Sequence, residues 1–190
     1  MDATGQLKCK ITMLGDGAVG KTSLIRRFVS NQYSDEYVHT IGAKVMKKQI
    51  NFSLEGGSLA QVVMMLWDIP GQWETQRSRI LSFQKYKPKG QYFIGSKGGL
   101  AICDITRKDT LDNLHMWVKA LHDEAGDVPV VFLANKSDQT AQHQFTIQDL
   151  QALSKKYNAP TYLSSAKTGD NVELAFHKLA ALVYRKYKCD

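Results

Sequence analysis

The eight residues Gly15-Asp16-Gly17-Ala18-Val19-Gly20-Lys21-Thr22 constrain this chain more than any others. They have the spacing GxxxxGKT and lie between an apolar stretch, Cys9 to Leu14, and a helix-like stretch, Lys21 to Ser30. Glycines let a backbone curl until successive N–H groups face one anion. The helix that follows turns the positive end of its peptide dipoles toward the same point. Lys21 adds a cation for β- and γ-phosphates, and the Thr22 hydroxyl suits Mg²⁺. The loop therefore asks for a strand running into it and a helix leaving it, with phosphate held between them.

The rest of the chain reads as further strands and helices in alternation. Lys44 to Leu54 and Leu59 to Trp67 are extended segments joined by Glu55-Gly56-Gly57-Ser58, a hairpin signal that makes them antiparallel neighbours. Leu100 to Ile105, Val128 to Ala134 and Thr161 to Leu163 are short apolar runs of the buried parallel type. Helical patterns cover Thr110 to Asp123, Thr146 to Tyr157 and Asp170 to Tyr187. In the last of these, Val172, Phe176, Leu179 and Val183 recur at helical spacing, and Asp170 with Glu173 resembles an Asp-led capping box. The expectation is an α/β fold with a mostly parallel sheet and one antiparallel strand.

With 190 residues, the chain suits a single domain over 1–190. Its longest apolar run, Val62 to Trp67, is far too short to span a bilayer. Met1 to Gln6 lacks the apolar core of a secretory signal, and Asp2 excludes N-myristoylation. Cys9, Cys103 and Cys189 show no metal-ligand spacing. Two of them sit in apolar segments and read as buried thiols, which points to a reducing, cytoplasmic location. The net charge of +7 includes Lys85, Lys87, Lys89 and Lys97, then Arg185, Lys186 and Lys188. No RNA-binding, zinc-finger or zipper signature accompanies it, so it reads as a solvated face and no nucleic-acid partner is expected.

A phosphate loop does not choose between ATP and GTP. Asn135-Lys136-Ser137-Asp138 follows the apolar strand Val130 to Ala134 and supplies the choice. A carboxylate at Asp138 can accept two hydrogen bonds from the N1–H and the 2-amino group of guanine, a donor pair that adenine lacks. Ser164-Ser165-Ala166-Lys167 also follows a strand, at the sheet end where ligands bind.

The chain resembles a Ras-superfamily small GTPase, and within it most resembles the Rab branch. The resemblance rests on GDGAVGKTSLIRRF at 15–28, TIG at 40–42, WDIPGQ at 67–72, NKSD at 135–138 and SAK at 165–167, in order across nearly the whole chain. It implies the P-loop NTPase (Ras-like) fold: six strands, one antiparallel, with helices on both faces. It further implies that the backbone N–H groups of Gly17, Ala18, Val19, Gly20, Lys21, Thr22 and Ser23 cradle phosphate. Tyr33 would stack beside guanine. Thr22, Thr40 and Asp68 would hold Mg²⁺, and Gly71 would sense the γ-phosphate. Gln72 would orient the attacking water. Asn135 would brace the loops and Lys136 would cover the base. Asp138 would read it and the Ala166 N–H would bind the guanine O6, with Ser165 and Lys167 also at the nucleotide.

No arginine in the phosphate loop looks placed to complete the site, so slow turnover of GTP to GDP is expected, with an arginine from a GTPase-activating partner. An exchange factor, effectors and peripheral association with the cytoplasmic face of a membrane belong to the same implication. Two other readings are a guanine-nucleotide-binding module with little or no hydrolysis and a basic Ran-like transport or nucleic-acid-associated factor.

The chain departs from this pattern in several places. Pro70 stands where relatives carry a small residue such as Ala, and it narrows the conformations of Ile69 and itself. Trp73 stands where Rab-like chains have Glu. The stretch Glu74 to Gln91 is longer than the family norm by roughly ten residues, more than most small-domain loops; it reads as a helix ended by Pro88 and Gly90. Tyr187-Lys188-Cys189-Asp190 matches neither the double-cysteine end of Rab proteins nor a CaaX end.

Overall fold

The apolar runs become the central strands of one sheet. In the computed structural model, which describes residues 6–34, 40, 42–53, 59–71 and 90–188, β1 is Gln6–Leu14, β2 Lys44–Ser53 and β3 Leu59–Asp68. β4 is Ser96–Asp104, β5 Val130–Asn135 and β6 Thr161–Leu163. The helices are α1 (Lys21–Ser30), α2 (Lys108–Ala125), α3 (Ile147–Ser154) and α4 (Val172–Lys188). The sheet order is β2-β3-β1-β4-β5-β6. Only β2 is antiparallel, paired with β3 from Lys44 opposite Asp68 to Ser53 opposite Leu59. The Gly56-Gly57 turn itself lies outside the described residues.

Every residue of β5 is buried, as expected for a strand covered on both faces. The two faces carry two cores. One joins alternate residues of β1 and β3 (Cys9, Ile11 and Met13; Val62, Met64 and Leu66) to α1 and α4. The other joins Ala101, Cys103, Phe132 and Ala134 to α2 and α3. The helical face expected at Val172, Phe176, Leu179 and Val183 is buried throughout. Phe176 stacks on Phe28 of α1 with centroids 4.0 Å apart and planes 3° from parallel, a geometry worth about 1 kcal/mol beyond its buried area. That stack fixes the helix that leaves the phosphate loop.

Several element ends move. α2 starts at Lys108, two residues before the expected Thr110. The helix expected to reach Tyr157 is α-helical only to Ser154 and closes with a 3-10 turn, Lys155–Tyr157. The capping box belongs to α3, where Thr146 and Asp149 exchange hydrogen bonds. At α4 the expected box is displaced. Asn171 takes a left-handed φ of 55° and donates its side-chain amide to the Leu163 carbonyl at 2.9 Å, and the helix begins only at Val172. Glu173 faces His177 one turn on, at 3.4 Å.

Candidate functional site

The sheet order reverses about β1, whose neighbours β3 and β4 both lie later in the chain. A crevice opens at such a point, outside the carboxyl ends of the strands. The residues that follow β1, β3, β4, β5 and β6 meet there. Gly20 enters α1 with φ 101°, and a Cβ on it would collide with the side-chain amide of Asn135. The first intrahelical bond runs from Leu24 N–H to the Gly20 carbonyl at 2.9 Å. The N–H groups of Lys21, Thr22 and Ser23 thus stand outside the helical ladder, as the first donors of a helix do. No acidic side chain occupies that first turn.

Lys21 is 6% exposed, and its ammonium donates to the carbonyls of Gly15 at 2.6 Å and Asp16 at 2.8 Å. Burial pulls its pKa down to about 8 against the opposing pull of Asp68 and Asp16, and the nearby Arg107 guanidinium pushes it further down. A cation so poorly compensated gains from an anion placed beside it. Gly71 closes on the same spot, where an added Cβ would collide with the Lys21 ammonium and the Asp16 carbonyl.

Three side chains with oxygen donors gather next to Lys21. The Thr22 hydroxyl donates to Asp68 Oδ2 at 2.5 Å and lies 3.2 Å from the Thr40 hydroxyl. Asp68 is 2% exposed; burial raises its pKa, opposed by the Thr22 hydrogen bond and the charges of Lys21, Lys44 and Arg26. Its Oδ1 is buried with no hydrogen-bond partner among the described residues. One carboxylate and two hydroxyls form an all-oxygen set. This suits Mg²⁺, which takes few protein ligands and fills its shell with phosphate and water oxygens.

The base loops come together on the other side. Asn135 is 1% exposed; its amide donates to the Val19 carbonyl at 2.8 Å and its oxygen accepts the Ala166 N–H at 3.1 Å. The Ala166 N–H expected at the guanine O6 is thus engaged by Asn135. Ser137 N–H donates to the Ser164 carbonyl at 3.0 Å, tying the two loops. Asp138 Oδ1 accepts the Ser165 hydroxyl at 2.6 Å. An ionised carboxylate has about four acceptor positions, so this bond leaves room for two more.

Five residues without a sequence signal support the site. Arg27 donates to the carbonyls of Ala166, at 2.8 Å, and Lys167, and its guanidinium lies 5.9 Å from the Tyr33 ring. Tyr33 thereby stands at the edge of the Ser165–Lys167 loop. Asn113 and Trp117 of α2 donate to the two oxygens of Asp16 at 2.8 and 2.7 Å, holding the phosphate loop to that helix. Asp104 and Arg107 carry a further connection taken up below. Among the expected site residues, Gln72 lies outside the described residues, as do Trp73 and positions 74–89. Pro70 is half-buried, next to the fully buried Ile69. Cys9 and Cys103 are buried free thiols, as expected.

Comparison with known proteins agrees with this geometry. The family model described as "Ras family" matches residues 10–185. Ras-related protein Rab-37 of Homo sapiens is 32% identical over 187 residues, covering 97% of this chain and 75% of that protein. Ras-related protein SEC4 of Saccharomyces cerevisiae is 31% identical over 178 residues, covering 93% and 75%. Ras-related protein Rab-27B of Bos taurus is 29% identical over 184 residues, covering 93% and 80%. A phosphate loop at the switch point of a six-stranded sheet, a hydroxyl-and-carboxylate cluster beneath it and a match over nearly the whole length lead to one conclusion: the chain belongs to the Ras family, on its Rab branch.

Proposed function

We propose that this small GTPase holds GTP or GDP with Mg²⁺ in the crevice around Lys21, and that loss of the γ-phosphate is what its partners read. The observation that carries the proposal is the convergence of Thr22, Thr40 and Asp68 beside the buried Lys21 ammonium. When bound, Mg²⁺ would offset charge on the β- and γ-phosphates. The chain's own groups do the rest. The loop N–H groups from Gly17 to Ser23 hold the phosphates, Asp138 reads the N1–H and 2-amino edge of guanine, and Asn135 keeps phosphate loop and base loops in register. Thr40, beside Thr22, and Gly71, beside Lys21, would both contact the γ-phosphate. Both would lose a partner on hydrolysis and relax, the order-to-disorder device of such switches. Gln72 would orient the attacking water.

Exchange factors, GTPase-activating proteins and effectors are the partners that this cycle requires. No helix among the described residues is long and apolar enough to cross a membrane. The Rab resemblance supports a peripheral role at the cytoplasmic face of a membrane, in trafficking or signalling.

Denaturing the purified chain and identifying the released nucleotide tests the proposal; GDP or GTP is expected, and an adenine nucleotide would overturn it. Asp138→Asn replaces one carboxylate oxygen by an amide donor and is expected to relax guanine selectivity. An intact preference for GTP in that variant would remove the assignment of Asp138.

A further inference from the structure

Asp104 ends β4 and is buried, and both of its oxygens are committed. Oδ1 accepts the Thr106 N–H at 3.0 Å and the Thr106 hydroxyl at 2.7 Å. Oδ2 takes two cations: the Lys136 ammonium at 2.5 Å and Arg107 Nε at 3.2 Å. Burial works against ionisation, but the Lys136 and Thr106 hydrogen bonds outweigh it and hold the carboxyl below the usual carboxylate range. Arg107 is kept close by its own N–H, which donates to the Asp104 carbonyl at 2.8 Å. From there its Nη2 donates to the Gly17 carbonyl at 2.8 Å, across 90 residues of sequence.

We propose that Asp104 and Arg107 bridge the base loop to the phosphate loop and act as positioning residues for nucleotide retention. The proposal rests on the guanine-nucleotide reading of the site. Lys136, Asp104, Arg107 and Gly17 form one connected line of charge-assisted hydrogen bonds, which are the stronger kind. Its far end acts through peptide geometry. The Gly17 carbonyl and the Ala18 N–H belong to one planar trans peptide and point in opposite directions. A donor that holds the carbonyl outward therefore turns the Ala18 N–H inward, toward the position of the phosphates. Two cations on the single oxygen Oδ2 make the line two-ended, since displacing Lys136 shifts the carboxylate that orients Arg107. A guanidinium can do this because its planar fork spans two acceptors, whereas an ammonium is a single point.

The test is release of a fluorescent GDP analogue from the full chain, chased with excess unlabelled GDP, for wild type, Arg107→Ala, Arg107→Lys, Asp104→Asn and the Asp104→Asn/Arg107→Ala pair. Arg107→Ala is expected to release nucleotide about tenfold faster, the size of one charge-assisted bond. Arg107→Lys keeps the charge but cannot span both acceptors, so it is expected to release nearly as fast as the alanine variant. The double variant is expected to release no faster than Asp104→Asn alone. Release unchanged in Arg107→Ala, full rescue by Arg107→Lys, or additive effects in the pair would each overturn the bridge. Full rescue would instead make Arg107 a simple charge near the phosphates. Should Asp104→Asn fail to fold, the two Arg107 variants decide alone, because that side chain is 38% exposed and its loss leaves no buried hole. A wild-type chain that retains no guanine nucleotide would overturn the reading of the site and the bridge's role with it. A wild-type chain that retains nucleotide but responds to no Arg107 variant would overturn the bridge alone.

Discussion

Asn135→Ala should destabilise the chain even without nucleotide. The side chain is 1% exposed and joins two buried backbone groups, accepting from the Ala166 N–H at 3.1 Å and donating to the Val19 carbonyl at 2.8 Å. Val19 is fully buried and Ala166 nearly so, and each backbone group would be left without its partner. Stranding a buried polar group costs roughly 1–3 kcal/mol, so the pair amounts to about 4 kcal/mol. For a domain of this size each kcal/mol moves Tm by about 2–4 °C, which gives a fall of about 8–16 °C. The assay is thermal unfolding of protein stripped of nucleotide, so that mass-action stabilisation by bound GDP does not enter. Asn51→Ala serves as the comparison, because the bond from Gln61 to Asn51, at 3.0 Å, is exposed. Its removal should change stability by no more than about 0.5 kcal/mol. A fall in Tm under about 3 °C for Asn135→Ala would mean that water replaces both bonds, and the role of Asn135 as a structural brace would be refuted.

Three further outcomes are expected. Phe176→Ala removes a buried ring stacked on Phe28 and should cost about 3–5 kcal/mol in urea unfolding; a loss under about 1 kcal/mol would deny the ring its part in holding α1 to α4. Gly71→Ala must displace either the Lys21 ammonium or the phosphate-loop backbone at Asp16, so nucleotide affinity by fluorescence titration should fall about tenfold or more; unchanged affinity would show that the segment moves aside freely. Burial pushes the Cys9 thiol up to about 12 and raises Cys103 as well. At pH 8 the native chain should therefore resist alkylation at both, and only unfolding should expose them. An unfolded thiol ionises near 9 while the folded one stays protonated, so each thiol lowers stability as pH rises above about 9. A pH-independent unfolding free energy between 8 and 10.5 in the difference between wild type and Cys9→Ala would contradict this for Cys9.

The phosphate loop, the alternation of strands and helices and the antiparallel hairpin were legible because each depends on spacing within about ten residues. GxxxxGKT curls by its own glycines, and a strand such as Val130–Asn135, whose first five residues are all apolar, has nowhere to go but the middle of a sheet. The meeting of Thr22, Thr40 and Asp68 was legible as a set only through family resemblance, since they carry no joint pattern until β3 runs parallel to β1 with Met13 opposite Asp68. Element ends were less legible. The helix expected from Asp170 starts at Val172, because Asn171 turns left-handed and reaches the Leu163 carbonyl, while the capping box at Thr146 and Asp149 was not anticipated. No sequence pattern assigned a role to Arg27, Asp104, Arg107, Asn113 or Trp117. Arg27, Arg107, Asn113 and Trp117 are ordinary helix or loop residues whose partners lie about 90 or more residues away, and Asp104, at the end of β4, meets Lys136 at the adjacent strand end. A sequence determines which local geometry each segment prefers. The parallel crossovers, which bring the ends of β1, β4, β5 and β6 to one edge, decide which polar groups meet, because a hydrogen bond needs its two ends within about 3 Å and only packing sets that distance.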